Sequence, residues 1–259
     1  MKYFLFIVML VIFNITVIAQ KEKAILVILA HPDDETAFGS VLAKYARDGY
    51  KVQLVYAVDG RNDIRLSSLQ PGDSVAMIKK SEADCACNKL GIEPPLFLNL
   101  NSLDRKHGAK DGVRDAVMSG VRLRDTLKSI IERFQPTALI AFGPDGEYGH
   151  PEHIVVHGIV TELLLREGWV EKYPLYYFGW PKSLEENNDG WVRYADDKYL
   201  NVKINYTRSD EEKLFEALKC YVTGFTKKDI DEIIQLETKR EDLLYFRKFV
   251  VTKERQTEF

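Results

Sequence analysis

The sequence predicts an α/β domain built on a Rossmann-like, doubly wound, mainly parallel sheet with a small C-terminal sheet and helical addition. Three observations predict it. Short apolar runs alternate with longer stretches of helical periodicity, the signature of βαβ units with right-handed crossovers. The first run, Ala24 to Leu29, is apolar throughout, as a buried strand should be. No internal repeat, low-complexity tract or obvious linker interrupts the 259 residues, so a single domain is expected.

The elements follow in order. Ala24 to Leu29 reads as a strand, and a helix is expected over about 35–48. Lys51 to Val58 is the second strand, followed by a polar loop from Arg61 to Pro71. A helix runs from Asp73 to Leu90 and stops at Gly91, a residue suited to the left-handed turn that ends helices. A short strand near Leu96 to Leu98 leads through the charged loop Asp104 to Asp111 into a helix ending at Phe134. Thr137 to Phe142 is a strand, Gly143 to Pro151 a loop, and 151–167 a helix. The C-terminal third is less regular. Leu175 to Phe178 and Trp191 to Ile204 look like strands, the second folded as a hairpin through an Asp-Asp-Lys turn, and 209–221 and 227–236 look helical.

The N-terminus has a short charged start, an apolar stretch to Ile18 and a small residue at Ala19. This pattern reads as a secretory signal peptide over 1–19, leaving one domain over 20–259 and an exported, periplasmic or secreted protein. An uncleaved membrane anchor is the alternative, although the run of about 16 apolar residues is shorter than a bilayer requires. No stable span is expected after cleavage. With 39 acidic against 36 basic residues, nothing draws the chain to nucleic acid. Three cysteines, Cys85, Cys87 and Cys220, are too few for a disulfide framework, and all three read as packing residues.

The chemistry concentrates in two loops. Ala30-His31-Pro32-Asp33-Asp34-Glu35 follows the first strand and carries an H-x-x-D pair. Tyr148-Gly149-His150-Pro151-Glu152-His153 follows the fourth and carries an H-x-x-H pair. Nitrogen and oxygen donors three residues apart can converge on one ion. In open parallel sheets ligands bind beyond the carboxyl ends of the strands, at the switch in strand order, where these loops would meet. Glu35 reads as a helix-start residue that caps or orients a ligand. His157, one turn after His153, reads as a packed or partly exposed helix residue.

The two histidine motifs together resemble the PIG-L/LmbE-like family of zinc-dependent N-acetylglucosaminyl deacetylases, over about 23–223. The resemblance implies zinc held by His31, Asp34 and His153, with iron or cobalt as other divalent candidates. It implies Asp33 as general base, His150 in protonated form as oxyanion stabiliser or proton donor, and Tyr148 at the carbonyl oxygen. Three protein ligands leave a position for a water that zinc acidifies, and that water would attack the amide carbonyl. The implied partner is an N-acylated amino sugar or glycoconjugate. A larger conjugate or long-chain acyl amide is the alternative substrate, and a non-catalytic carbohydrate-binding relative the alternative class.

Several positions depart from the family pattern. Glu152 stands where Asp is common and is expected to bond His150. Val58-Asp59-Gly60-Arg61 replaces a Thr-x-Gly-Glu type of turn. Lys79 and Glu82 replace an Arg-x-x-Glu pair, and Tyr221-Val222-Thr223-Gly224 replaces a His-x-Ser-Gln type of element. Arg61, Asp63 and Arg65 read as a solvated loop at the rim of the crevice, with substrate recognition as the alternative. Asp104 is a candidate for a sugar hydroxyl and His107 a surface histidine. Tyr176, Tyr177, Phe178 and Trp180 read as core before they read as a stacking platform.

Overall fold

The computed structural model of the chain describes residues 23–100, 112–185 and 192–258. The expected leader over 1–19, the loop residues Asp104, Arg105 and His107, and Trp191 lie outside the described residues. Strands β1 (Ala24–Leu29), β2 (Lys51–Val58), β3 (Leu96–Leu100), β4 (Ala138–Phe142) and β5 (Leu175–Phe178) alternate with helices α1 (Gly39–Arg47), α2 (Asp73–Leu90), α3 (Gly112–Phe134) and α4 (Pro151–Arg166). The remaining elements are β6 (Trp180–Pro181), β7 (Tyr194–Ala195), β8 (Val202–Asn205), α5 (Arg208–Leu218), α6 (Lys227–Thr238) and β9 (Leu243–Lys248).

The main sheet has seven strands in the order β3-β2-β1-β4-β5-β9-β8. The first five pair in parallel, and β9 pairs antiparallel with both β5 and β8. Alternation along β1 explains the two layers. Leu26, Ile28 and Ala30 pack with Leu123, Leu127, Val160 and Leu164 of α3 and α4. Ile25, Val27 and Leu29 turn to Phe38, Val41 and Leu42 on the α1 side. Both faces are therefore covered, which is why β1 carries no polar residue. α1 crosses α5 closely because it begins with Gly39, where a Cβ would lie 2.9 Å from Leu214 Cδ1.

Two expectations about the elements need correction. The helix expected over 35–48 is split into a 3-10 turn, Asp34–Ala37, and α1. Asp33 adopts a left-handed conformation at φ 98°, and its carbonyl accepts both the Thr36 amide and the Thr36 hydroxyl. The second correction concerns the expected hairpin, since β7 pairs in parallel with β6 while β8 joins the main sheet through β9. Asp196 accepts a hydrogen bond from the Lys198 amide and closes a 3-10 turn at Asp197–Tyr199 instead of a hairpin turn. β9 was not foreseen. Among the described residues no helix is long and apolar enough to cross a membrane.

Candidate active site

Strand order reverses between β1 and β4, and the two histidine loops leave the carboxyl ends of these neighbouring strands. They meet beneath a cavity of about 770 Å³ lined by His31, Asp33, Asp34, Tyr148, His150 and Glu152, among others. The sheet thus brings together two segments 122 positions apart in sequence.

Asp34 is fixed first. Its Oδ2 accepts the amides of Ala30 and His31 at 3.0 and 2.8 Å, which aims Oδ1 away from the loop. That Oδ1 lies 3.1 Å from His153 Nε2 and 3.7 Å from His31 Nδ1. The two ring nitrogens are themselves 3.1 Å apart. Donors about 2.0–2.1 Å from a tetrahedral ion are separated by roughly 3.3 Å, so the three edges match a zinc-sized ion. His31 Nε2 is held by Glu152 Oε2 at 2.7 Å, which turns Nδ1 inward. His153 is buried, its ring stacks on Phe142 at 5.3 Å, and its Nδ1 has no hydrogen-bond partner. Glu147 Oε2 stands 4.0 Å from that Nδ1.

Charge at the floor of the cavity suits a cation. Burial disfavours a proton on His31, yet Asp34 and Glu152 prevail and raise its pKa to about 10. Burial likewise opposes ionisation of Asp34, but His153 and His31 hold it well below the usual carboxylate range. A site that stabilises protons in this way stabilises a divalent ion in their place. His150 also brings a nitrogen to the cluster, within 4.8 Å of those of His31 and His153. Asp34 Oδ1, at 3.1 and 3.7 Å from the two histidines, is a further donor beside them.

The remaining expected residues line the same cavity. Burial, and then the Asp34 charge, push Asp33 up to about 7 against the pull of Arg65, Lys79 and His31. The Asp33 carboxylate accepts a long hydrogen bond from Arg65 Nη2 at 3.4 Å. Gly224 lies over it, where a Cβ would sit 3.2 Å from Oδ2, so a side chain there would press on the Asp33 carboxylate. Tyr148 is partly exposed, its ring 5.1 Å from that of His153 and 5.9 Å from that of His150.

Several expected roles change. Glu152 bonds His31, while His150 Nδ1 accepts the Glu152 amide at 3.2 Å. Burial, together with His31 and His153, lowers the His150 pKa, a direction that works against the expected protonated ring. Glu35 lies in the first turn at Asp34–Ala37, and its carboxylate is tied to other elements. It is wholly buried, and the Tyr56 and Tyr221 hydroxyls each donate to it at 2.6 Å. His157 is fully buried against Phe142 and pushed down to about 3 by burial, so it is not partly exposed. Cys85 and Cys220 form a disulfide that ties α2 to the end of α5, and Cys87 alone is the buried free thiol.

The charged loop after β2 is not merely solvated surface. Arg61 grips the buried Asp59 through Nε and Nη2 and also reaches Asp73. Asp63 bridges Arg65 and the buried Lys79 at 2.8 and 2.7 Å, so a line of alternating charge leads from α2 to Asp33. Glu82 continues it, accepting the amide and hydroxyl of Thr223 at 2.8 Å each. Of the four aromatic residues near the end of β5, Trp180 lines the cavity. Sequence reasoning missed Glu147, whose carboxyl is pushed up to about 7 by burial and by Asp34. It has no motif of its own and shows itself only by facing His153.

Comparison with known proteins bears on the family and the fold. The chain is 27% identical over 159 residues to a 1D-myo-inositol 2-acetamido-2-deoxy-alpha-D-glucopyranoside deacetylase of Mycobacteroides abscessus, covering 57% of each chain. It spans between about half and two thirds of the length of the first curated relatives it matches. Its fold resembles N,N'-diacetylchitobiose deacetylase from Pyrococcus horikoshii, with a TM-score of 0.62 and 18% identity over 88% of this chain and 84% of that one. It also resembles a zinc-inhibited form of teicoplanin deacetylase Orf2, with a TM-score of 0.64 and 17% identity over 90% of this chain and 100% of that one. At such identities the solved structures show the α/β fold alone. The family model described as GlcNAc-PI de-N-acetylase matches residues 26–164, more than half of the sequence, and the chain belongs to this PIG-L family.

Proposed function

We propose that the protein is an exported, metal-dependent hydrolase that removes an acetyl group from an N-acylated amino sugar within a larger conjugate. The observation that carries the reading is the convergence of His31 Nδ1, Asp34 Oδ1 and His153 Nε2 at 3.1–3.7 Å on the floor of a cavity that Asp33, His150 and Tyr148 also line. A divalent ion held by these three donors supplies Lewis acidity toward water and carbonyl oxygen, and imidazole with carboxylate suits zinc, iron or cobalt.

The chain's own groups divide the rest. Asp33, with its pKa near 7, takes the proton of a water as that water adds to the amide carbon. Tyr148 and His150, which line the same cavity, are the groups that stabilise the negative charge growing on the former carbonyl oxygen. Asp33 then returns that proton to the nitrogen, and breakage of the carbon–nitrogen bond releases acetate and a free amine. The Glu152 carboxylate holds His31 in orientation, and Glu147 faces the Nδ1 of His153 from 4.0 Å.

Export rests on the leader-like segment before Gln20 and on the Cys85–Cys220 disulfide, a bond that persists in oxidising compartments. The test of the function is acetate release from N-acetylglucosamine conjugates and chitooligosaccharides by metal-loaded protein. Release that a chelator abolishes supports the reading, and no release across a broad panel of N-acetylated sugars overturns it.

A further inference from the structure

The segment 221–225, between α5 and α6, meets the site at three points. The Tyr221 hydroxyl donates to Glu35, two residues beyond Asp33, at 2.6 Å. Gly224 lies over Asp33, where a Cβ would sit 3.2 Å from Oδ2. Phe225 lines the cavity. The segment is a closed turn, since the amides of Gly224 and Phe225 both donate to the Tyr221 carbonyl, at 3.1 and 3.0 Å. It is also fastened to α2. Thr223 donates its amide and its hydroxyl to Glu82 at 2.8 Å each, and Cys220, next to Tyr221, is bonded to Cys85. Glu82 and Cys85 are three positions apart, so both fastenings fall on neighbouring positions of one helix surface.

A turn bonded to itself moves as one body, and its outside ties decide where it sits. None of the ties to α2 touches the reacting atoms. What they set is the distance between Gly224 and the Asp33 carboxylate. Resting on the deacetylase reading above, in which Asp33 is the base, we propose that the turn 221–225 is a positioning element for Asp33. Cys85–Cys220 and Glu82 are its clamps on α2, and Gly224 is the residue that leaves the carboxylate room. Displacements of this kind matter, because a misplacement of about 1 Å can cost on the order of 10²-fold in rate.

A double-mutant cycle on kcat tests the proposal, with acetate release from N,N'-diacetylchitobiose measured at a temperature where circular dichroism shows each variant folded. Its corners are the natural chain, Cys85→Ala with Cys220→Ala, Gly224→Ala, and all three changes together, with metal content determined on each. The cysteine pair and Gly224→Ala should each lower kcat by roughly tenfold at unchanged metal content. Combined, they should lose far less than the product of the two, because an unclamped turn yields to the added methyl group. Losses that multiply make the disulfide a general support of the fold and overturn the proposal, as does a change under about twofold from the cysteine pair. If the cysteine pair does not fold, Thr223→Val, which keeps the disulfide and removes one donor to Glu82, takes its place in the cycle under the same criteria. If the natural, metal-loaded chain releases no acetate from this or any other N-acetylated sugar, the deacetylase reading fails and the proposal with it.

Discussion

The Glu35 carboxylate accepts a hydrogen bond from the Tyr221 hydroxyl at 2.6 Å, joining residues 186 positions apart. Tyr56 of β2 donates to the other oxygen at the same distance. The bond pins the residue next to Asp34 to the segment that follows α5, so the loop after β1 and the C-terminal third hold each other in place.

Removing that donor has a defined consequence. Tyr221→Phe keeps the ring but leaves a buried carboxylate oxygen short of a partner, and should destabilise the fold by about 1–3 kcal/mol. Urea unfolding measures it. A change within about 0.5 kcal/mol, the size of an ordinary surface substitution, would show that the bond does not brace the loop.

The disulfide can be counted and weighed. Denatured but unreduced protein should titrate one thiol per chain, Cys87, and reduced protein all three cysteines. Replacing Cys85 and Cys220 together by Ala should lower stability by about 2–4 kcal/mol, because the bond closes a long loop. Three thiols without reductant would contradict the pairing.

Acid should weaken a second tie. Asp210 is held by the Arg47 guanidinium, with both contacts at 3.0 Å, and by the amide and hydroxyl of Thr207 at 2.8 and 2.7 Å. Burial alone would push its pKa up, but Arg47 and Thr207 prevail and hold it below the usual range. A carboxylate with a depressed folded pKa contributes stability above its unfolded value of about 3.9, and that contribution is lost as pH falls through the folded value. The Tm gap between the natural chain and Asp210→Asn should therefore be widest near pH 7 and shrink below about pH 4. A gap that does not depend on pH would contradict the ion pair.

Much of this was legible in the sequence because the determinants are local. The uninterrupted apolar run Ala24–Leu29 declares a doubly covered strand, and Gly91, at φ 76°, ends α2 where a left-handed residue is needed. The histidine loops could be found because each of their spacings is short. What remained hidden depends on distant partners. Glu35 beside a helix start looks like capping chemistry until Tyr56 and Tyr221 are in place. Cys85 and Cys87 differ only in which face of α2 they occupy, and one face happens to meet Cys220. Glu152 was matched to its sequence neighbour His150, whereas the fold brings His31 closer across 121 positions. β9 was not read as a strand, and its pairing with β5 and β8 is set by the sheet edge that it fills.

The central claim is that His31, Asp34 and His153 hold an ion beside Asp33, which acts as the base. Asp33→Asn tests it most directly. Asparagine tolerates the left-handed backbone at φ 98° better than alanine, so the loop is retained while the proton acceptor is lost. Metal content and acetate release should be measured on the same preparations, with His153→Ala alongside. The account predicts that Asp33→Asn keeps the metal content of the natural chain and loses about 10²–10⁴-fold in kcat, while His153→Ala loses the metal. Asp33→Asn protein with full metal and undiminished acetate release would contradict it.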